Sequence, residues 1–376
     1  MKKLDLLIVI ILLAASLSVC GGCRNTGPNM DDSATLTEPH PISGMPSMSN
    51  APPTSESPAE ETPSVPELHP TPESQKKTIY YIVAAMPSAA SDLMGNGVQQ
   101  ASEDFGCGLL RAVVPVEPSE RRTEVIAQLF EDAMASRADA IITNIVDREA
   151  MAGPVSEAHR AGIPIILLGG MAGTEDYSTC IIVNDIHAGE QAAAEMLRKL
   201  KSTGLSEEEP AEIAVQVGLA ESQAIINRLE GFKSYWDENA PLQWIVLWDD
   251  VKVNEGNYER AVGNGREFLA KYPNLKAFFA PNDFSTEGFA VALKESSRTD
   301  ITLIGFNLYK EVHELILNED YSVSAMMFAY KMGYDALAIA LELASGGADT
   351  EKIVYADVFF VDNENIDDPE VRKWLW

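Results

Sequence analysis

The sequence predicts an α/β fold in two lobes, each built on a parallel sheet with helices on both faces. From Thr78 onward, short apolar runs alternate with amphipathic helical stretches, and this rhythm is typical of βαβ units. The run 163–168 is apolar throughout, as expected for a strand buried on both faces of a sheet. The rhythm restarts at Ile213 and leaves further segments after the second unit. We therefore predict that the chain crosses between the lobes several times.

The periodicity assigns strands and helices in a regular order. The first unit contains strand 78–85, helix 92–105, strand 109–116, helix 123–136, strand 140–144, helix 149–161 and strand 163–168. The second contains strand 213–218, helix 222–236, strand 244–248, helix 258–272, strand 275–280, helix 286–295, strand 301–306 and helix 310–317. The late segments are strand 323–328, helix 331–344 and strand 353–361. Gly106 and Gly162 follow two of these helices, where a left-handed C-cap favours glycine.

Composition and motifs exclude several classes of protein. The 376 residues include 28 Lys and Arg against 57 Asp and Glu, a formal net charge of −29. Nucleic-acid binding requires an excess of basic residues, so we expect no nucleic-acid partner. The chain has no His-x-x-x-His pair and no CxxC…CxxC pattern, so we expect no metal site. No Gly-x-Ser-x-Gly, Walker or dinucleotide pattern follows a predicted strand. We therefore expect no cofactor and no enzymatic activity.

The first 23 residues have the features of a lipoprotein signal peptide. Two lysines precede an uninterrupted apolar run at 6–15, which is too short to span a bilayer but suits a signal-peptide core. The run leads into Leu-Ser-Val-Cys-Gly-Gly-Cys at 17–23, which resembles a bacterial lipobox. Cys23 follows a small glycine, whereas Cys20 has a leucine three positions before it. We favour Cys23 as the lipidated residue, with Cys20, or secretion without lipidation, as the alternatives.

Residues 24–76 are predicted to form a disordered, extended tether. The segment is rich in Pro, Ser, Thr and Glu and has almost no aromatic residues. Its prolines oppose helices and strands, and it cannot bury enough apolar surface to offset the entropy of ordering. Directly after a lipidated cysteine, such a tether would hold a folded domain close to a membrane. We expect the protein to be anchored to a bacterial membrane on its extracytoplasmic side.

Cys107 and Cys180 both fall in the predicted first lobe. In an oxidising compartment they could form a disulfide, provided that their Cα atoms come within about 7 Å. The sequence leaves the bonded and the free states equally open.

Several short sequence motifs spread over residues 77–362 resemble those of one family. They are Ala-Gly-Ile-Pro-Ile at 161–165, Val-Asn-Asp at 183–185, Arg-Leu-Glu-Gly-Phe at 228–232, Tyr-Pro-Asn-Leu-Lys-Ala-Phe-Phe-Ala-Pro-Asn-Asp at 272–283 and Ile-Gly-Phe-Asn at 304–307. Their order and spacing are similar to those of the type I periplasmic-binding proteins, in the ribose- and galactose-binding branch. That resemblance implies two Rossmann-like lobes joined by a three-crossing hinge, which closes over a sugar or related polar molecule. It also implies the capture role in an ABC importer, with permease subunits as partners.

The resemblance sets the expected lobe boundaries. The first lobe would consist of 77–184 and 329–357, and the second of 185–328 and 358–376. The ligand would bind in the cleft between them, where the carboxyl ends of the strands meet.

The resemblance also implies a set of pocket residues. Arg228 falls where the ribose-binding branch uses an arginine on ligand hydroxyls, a task that suits the donors of a guanidinium. Asn282 matches an amide of the pocket, and Asn307 stands in place of the usual Asp. The other residues predicted to contact the ligand are Ser88, Asp147, Trp248 and Met327.

This sequence departs from the ribose-binding pattern at several pocket positions. Ala90 and Ser91 stand where the family often has aromatic rings, and the Gly-Gly pair at 169–170 replaces a common Asp-Arg pair. Met327 or Phe328 replaces a polar amide. We therefore expect a small hydroxylated, sugar-like ligand in a pocket less polar and less aromatic than a ribose site.

Four of these assignments have a structural alternative. Arg228 could pair with Glu221 or Glu230 on the surface of its helix. Asn282 or Asp283 could cap the helix that follows them, and for Asp147 capping is favoured over a pocket contact, since both residue types are good N-caps. Trp248 could replace the missing aromatic platform, or it could be a core residue beside Trp244. For the whole protein, the alternative is a ligand-binding co-receptor for a membrane sensor kinase or chemoreceptor.

Overall fold

The computed structural model describes residues 76–84, 88–115, 121–145, 147–347 and 350–375. The predicted signal peptide, with Cys20 and Cys23, and all but the last residue of the predicted tether lie outside these ranges. None of the helices in the described ranges is both long and apolar enough to cross a membrane.

Strands and helices alternate along the described part of the chain. In order they are β1 (Thr78–Val83), α1 (Ala89–Asp104), β2 (Gly108–Val113), α2 (Arg122–Ala135), β3 (Ala140–Asn144), α3 (Arg148–Arg160), β4 (Ile165–Leu168), β5 (Thr179–Ile182), α4 (Asp185–Ser202), β6 (Ala211–Val217), α5 (Gln223–Asn239), β7 (Trp244–Val246), a 3-10 helix (Trp248–Asp250), β8 (Lys252–Val253), α6 (Tyr258–Lys271), β9 (Leu275–Phe279), α7 (Asp283–Ser296), β10 (Thr302–Phe306), α8 (Lys310–Leu317), β11 (Val323–Met327), α9 (Ala329–Ala344), β12 (Ile353–Tyr355), β13 (Phe359–Val361) and α10 (Pro369–Arg372).

The strands form two separate sheets. The first has the order β12-β5-β4-β3-β1-β2, and all of its neighbouring strands are parallel. The second has the order β13-β11-β10-β9-β6-β7, with β8 also paired to β6. Only β13 runs antiparallel to its neighbour within the described part of this sheet. The predicted α/β fold with two parallel sheets is confirmed.

The chain passes between the sheets at three crossings. The first crossing, 183–184, joins β5 to α4, which packs on α5 and β10 of the second sheet. The second is Phe328, between β11 and α9, which packs on α1 and β3 of the first sheet. The third, 356–358, separates β12 from β13. The single strand predicted at 353–361 is therefore wrong: its two halves belong to different sheets. The apolar pattern cannot show which sheet a strand joins.

Alternation along the strands assigns side chains to opposite faces of the first sheet. Ile82, Ile141 and Ile165 lie in one buried cluster, on the face covered by α2 and α3. Their neighbours Ile142 and Ile166 lie in another, which continues into the core of the second lobe. A third cluster fills the other face of the second sheet.

Cys107 and Cys180 are both free, so a disulfide between them is ruled out. Cys107 precedes β2 at one edge of the first sheet, whereas Cys180 lies in β5, four strand positions away. At about 4.8 Å per strand, that separation far exceeds the reach of a disulfide. The two thiols also pack against different core clusters.

Candidate functional site

The polar residues predicted for the pocket follow neighbouring strands of the second sheet. Asn282 comes soon after β9 and Asn307 directly after β10, at the carboxyl ends of these parallel strands. The first two crossings leave from the carboxyl ends of β5 and β11. The carboxyl edges of both sheets therefore lie on the side where the chain passes between the lobes, and the carboxyl edge is the usual ligand position in open α/β sheets.

Arg228 lies on α5 and is 9% exposed. Its Nε donates a hydrogen bond to Asp185 Oδ1 at 2.8 Å, and its Nη1 donates to the backbone oxygen of Pro281 at 2.8 Å. The guanidinium carbon lies 4.3 Å from the ring centre of Phe306 and 5.7 Å from that of Phe328. Burial raises the pKa of Asp185, and the positive charge of Arg228 opposes this rise. The ionic partner is thus Asp185, and the proposed pairing with Glu221 or Glu230 is wrong.

Asn282 is the N-cap residue of α7, but its side chain accepts no bond from the N–H groups of that helix. Its Oδ1 instead accepts hydrogen bonds from Gly218 N at 2.9 Å and Ser285 Oγ at 2.7 Å. Ser285 in turn accepts a bond from the fully buried Asn254. A Cβ atom on Gly218 would lie only 2.8 Å from Asn282 Nδ2. The loop after β6 therefore needs a glycine to approach the amide of Asn282. The two hydrogen bonds to Oδ1 fix the orientation of that amide.

Asn307 is 1% exposed and has a φ of 63°, a left-handed conformation that asparagine tolerates better than most residues. Its Nδ2 donates to Asp283 Oδ1 at 2.8 Å, and Tyr309 donates to Asp283 Oδ2 at 2.8 Å. Oδ1 of Asn307 is buried, and no group in the described part of the chain bonds to it. A buried acceptor without a partner is unfavourable, so this oxygen can gain from a donor supplied by a ligand or by water.

Two of the predicted pocket residues of the first lobe cap helices. Ser88 is the N-cap of α1, and its Oγ accepts from Ser91 N at 3.2 Å. Asp147 is the N-cap of α3, exposed to solvent, and its Oδ1 accepts from Ala150 N at 2.9 Å. The capping alternative therefore accounts for Asp147. At the end of β3, the buried Asn144 accepts from the hydroxyl of Tyr81 at 3.0 Å.

Trp248 packs against the core of the second lobe, and Met327 lies within that core. Trp248 lies in the 3-10 helix, half-buried, with its ring edge-on to Phe232 at 6.4 Å. Met327 is fully buried in the core of the second lobe, so its assignment to the pocket is wrong. It is the last residue of β11, and the next residue, Phe328, is the one that reaches Arg228. The strand alternation places these consecutive side chains in different surroundings.

Several partners of these side chains did not emerge as site residues from sequence reasoning. Asp185 and Phe306 surround Arg228 together with Phe328, which the sequence offered as an alternative to Met327, and Asp283 with Tyr309 holds Asn307. Asp185 and Asp283 stand in the phrases at 183–185 and 272–283, but each also looks like a first-turn helix acid. Only the fold brings them to their partners.

Fold and site together define a two-lobed α/β binding protein with its polar side chains at the carboxyl edges of the strands. The chain belongs to the periplasmic binding protein domain family, whose model matches residues 79–348. The predicted family is confirmed.

Two of the curated relatives are named as import binding proteins. The D-apiose import binding protein of Actinobacillus succinogenes is 23% identical over 274 residues, which cover 72% of this chain and 83% of the relative. The ribose import binding protein of Bacillus subtilis is 23% identical over 252 residues, covering 66% and 76%.

Solved structures of similar fold include two from other bacteria. A carbohydrate transporter solute-binding protein of Agrobacterium radiobacter, in complex with D-arabinose, has a TM-score of 0.63 at 19% identity, covering 80% of this chain and 99% of that one. The arabinose-binding protein AraP of Geobacillus stearothermophilus has a TM-score of 0.63 at 19% identity, covering 78% and 99%. At these identities the likeness establishes the fold.

Proposed function

We propose that this protein is the extracytoplasmic solute-binding component of an ABC importer, and that it binds a small hydroxylated, sugar-like ligand in the cleft between its lobes. The family and the relatives, named for the import of ribose and D-apiose, support this role. The protein would capture its ligand and deliver it to permease subunits without covalent chemistry.

The proposal is carried by three side chains that use some of their polar atoms for hydrogen bonds within the protein and leave others without a protein partner. Arg228, Asn282 and Asn307 each use part of their polar groups to bond within the protein. Among the described residues, none accepts from Arg228 Nη2 or Asn282 Nδ2, and none donates to Asn307 Oδ1. The site thus keeps two donors and one acceptor at neighbouring strand ends. Hydroxyl groups both donate and accept, so a sugar or polyol complements this set.

The apolar residues at the carboxyl edges of the two sheets limit the contacts that a ligand can make. Phe306 and Phe328 lie against the guanidinium of Arg228, so they are not free to stack on a sugar ring through that face. Gly169 and Gly170 provide no side-chain hydrogen bonds from the first lobe. We infer that the ligand makes most of its directional contacts with the second lobe.

Membrane attachment is a separate part of the proposal. The lipobox-like phrase at 17–23 and the Pro-rich segment after it support an N-terminal lipid anchor and a tether. Mass spectrometry of the protein made in a bacterial host would test this: Cys23→Ser should abolish acylation, whereas Cys20→Ser should leave it intact. The reverse result would identify Cys20 as the lipidated residue, and an unmodified wild-type chain would rule out the anchor.

A thermal-shift screen with sugars, polyols and nucleosides tests the binding function. A ligand present at ~100 times its dissociation constant stabilises by about 2.7 kcal/mol, which raises Tm by several degrees in a domain of this size. Arg228→Lys keeps a positive charge beside Asp185 but removes the planar fork, and it should lose most of this stabilisation. The matched control is Arg266→Lys on α6, whose exposed arginine pairs with Glu295. If no compound shifts the wild-type Tm, the binding function is refuted.

A further inference from the structure

Arg228 is held by residues from two different crossings between the lobes. Asp185 is the first residue of α4, directly after the first crossing at 183–184, and it accepts from Arg228 Nε at 2.8 Å. Phe328 is itself the second crossing, and its ring centre lies 5.7 Å from the guanidinium carbon. One side chain at the cleft therefore contacts both crossings at once.

The contacts of Arg228 are of the kind that fix orientation. The Arg228 and Asp185 side chains are 11% and 17% exposed, so their ion pair is shielded from solvent and from screening by salt. The guanidinium also lies over the ring of Phe306 at 4.3 Å, where a cation gains from the aromatic face. A planar group held in two directions and covered on one face has little freedom left. The direction of Nη2 is consequently set by Asp185, Pro281 and Phe306.

We propose that Asp185 and Phe328 are positioning residues for Arg228, and that they tie it to the first and second crossings so that a ligand bound by Arg228 stabilises one orientation of the lobes. The proposal deepens the proposed function and rests on it for the ligand. The link between the two crossings through Arg228 exists without any ligand, and it can be tested separately.

Backbone packing strengthens this link. A Cβ atom on Gly231, one turn beyond Arg228, would lie 1.9 Å from the backbone oxygen of Ile186 on α4. Because α4 and α5 touch through their backbones, a displacement of α4 at the first crossing must carry Arg228 with it. The side-chain contact with Phe328 then extends the displacement to the second crossing.

Hydrogen–deuterium exchange of the full chain without ligand tests the link. Asp185→Asn removes the negative charge that strengthens the hydrogen bond from Arg228 Nε, and we expect exchange around 183–188 to accelerate about tenfold or more. The decisive expectation is that exchange around 326–332 accelerates too, although the substitution lies on the other crossing. Phe328→Leu should accelerate exchange around 183–188, on the first crossing. This variant can decide the test if Asp185→Asn fails to fold. Acceleration confined to the substituted crossing, in both variants, would overturn the proposal.

Two substitutions serve as controls for general destabilisation of the fold. Asp176→Asn removes an acid paired with Arg160 on the outside of the first lobe, and Tyr272→Leu trims a half-buried ring at the end of α6. Neither should change exchange at the crossings. If either reproduces the coupled response, the effect is general destabilisation and the positioning role is refuted.

A second arm uses D-ribose, D-arabinose and xylitol as probes. In the wild type, a probe that binds should slow exchange at both crossings together, and Asp185→Asn should weaken its binding and abolish that joint protection. Protection of a single crossing in the wild type would overturn the coupling. If none of the three probes binds the wild type, the choice of ligand in the proposed function fails, while the ligand-free arm still decides the positioning role.

Discussion

The backbone oxygen of Arg228 lies 2.1 Å from the point where a Cβ atom on Gly189 would stand. Gly189 belongs to α4, which follows the first crossing, and Arg228 belongs to α5. The first lobe repeats this arrangement between α1 and α9, where Cβ atoms on Gly97 and Gly333 would each lie 2.0 Å from a backbone oxygen of the opposite helix. In both lobes, the helix that follows a crossing touches its neighbour backbone to backbone.

Gly189→Ala should therefore be strongly destabilising. The added methyl group has no space against backbone atoms, and overpacking of this kind lowers the free energy of unfolding by about 3 kcal/mol. Gly263→Ala is the matched control, because nothing lies within 4 Å of its Cβ position on α6; that exposed helix position should gain about 0.5–1 kcal/mol. Urea unfolding measures both changes, and equal stabilities of the two variants would contradict the packing argument.

Lys199 and Asp362 form a buried ion pair in the second lobe. The Nζ–Oδ2 distance is 2.6 Å, and each side chain is 5% exposed. Lys199→Met leaves the carboxylate of Asp362 with Arg198 as its remaining ionic partner, 3.0 Å away. Since an incompletely compensated buried charge is costly, we expect the free energy of unfolding to fall by about 3 kcal/mol.

The pair Lys294–Glu314 offers the contrasting case. Its side chains are 54% and 40% exposed, and an exposed ion pair contributes at most about 1 kcal/mol. Lys294→Met should thus be nearly neutral in the same unfolding experiment. A loss at Lys294 as large as that at Lys199 would show that burial does not distinguish the two pairs.

The stability of the protein should fall as the pH rises towards neutrality because of Glu287. Burial, together with the nearby Glu311 and Asp283, raises the pKa of Glu287 from 4.5 to about 7. The folded state therefore holds a proton that the unfolded state releases above about 4.5, so this contribution is complete at low pH and is lost as the pH rises to about 7. Glu287→Gln should flatten the dependence of Tm on pH between 4.5 and 7. Glu131→Gln, at an exposed position on α2, should leave this dependence unchanged. If Glu287→Gln does not change the slope of Tm against pH, Glu287 is not the group responsible.

The two cysteines of the folded region should react as poorly accessible thiols. Burial raises the pKa of Cys180 to about 12 and also raises that of Cys107, and the thiolate is the reactive form. In a chain carrying Cys20→Ser and Cys23→Ser, a thiol reagent should label Cys107 slowly and Cys180 only after unfolding. Two labelled thiols after unfolding without reductant are expected. The absence of label, with a mass lower by two hydrogen atoms, would reveal a disulfide instead.

Much of the fold could be predicted because periodicity reports burial directly. The alternation of apolar runs predicted strand 140–144 and helix 310–317 with the same bounds as the structure. It missed β5 and α4, and it joined β12 and β13 into one strand. Hydrophobic patterns are local, whereas the choice of sheet depends on contacts with strands far away in the sequence.

For the site, residue types and family phrases were enough to propose Arg228, Asn282 and Asn307 as pocket residues, and all three lie at the carboxyl edge of the second sheet. Sequence alone could not assign their partners. Asp185 is 43 positions away from Arg228, and Asp283 is 24 positions from Asn307.

By itself, then, the sequence determined the α/β class, the family and the polar residue types available for a ligand, because these depend on short-range patterns and on short sequence motifs. The tertiary structure alone decided which atoms of those residues remain for a ligand, that Met327 and Phe328 join different buried clusters with only Phe328 beside Arg228, and that Cys107 and Cys180 are too far apart to bond. The physical reason is that hydrogen-bond satisfaction and strand position depend on groups brought together only when the two sheets and their three crossings have formed.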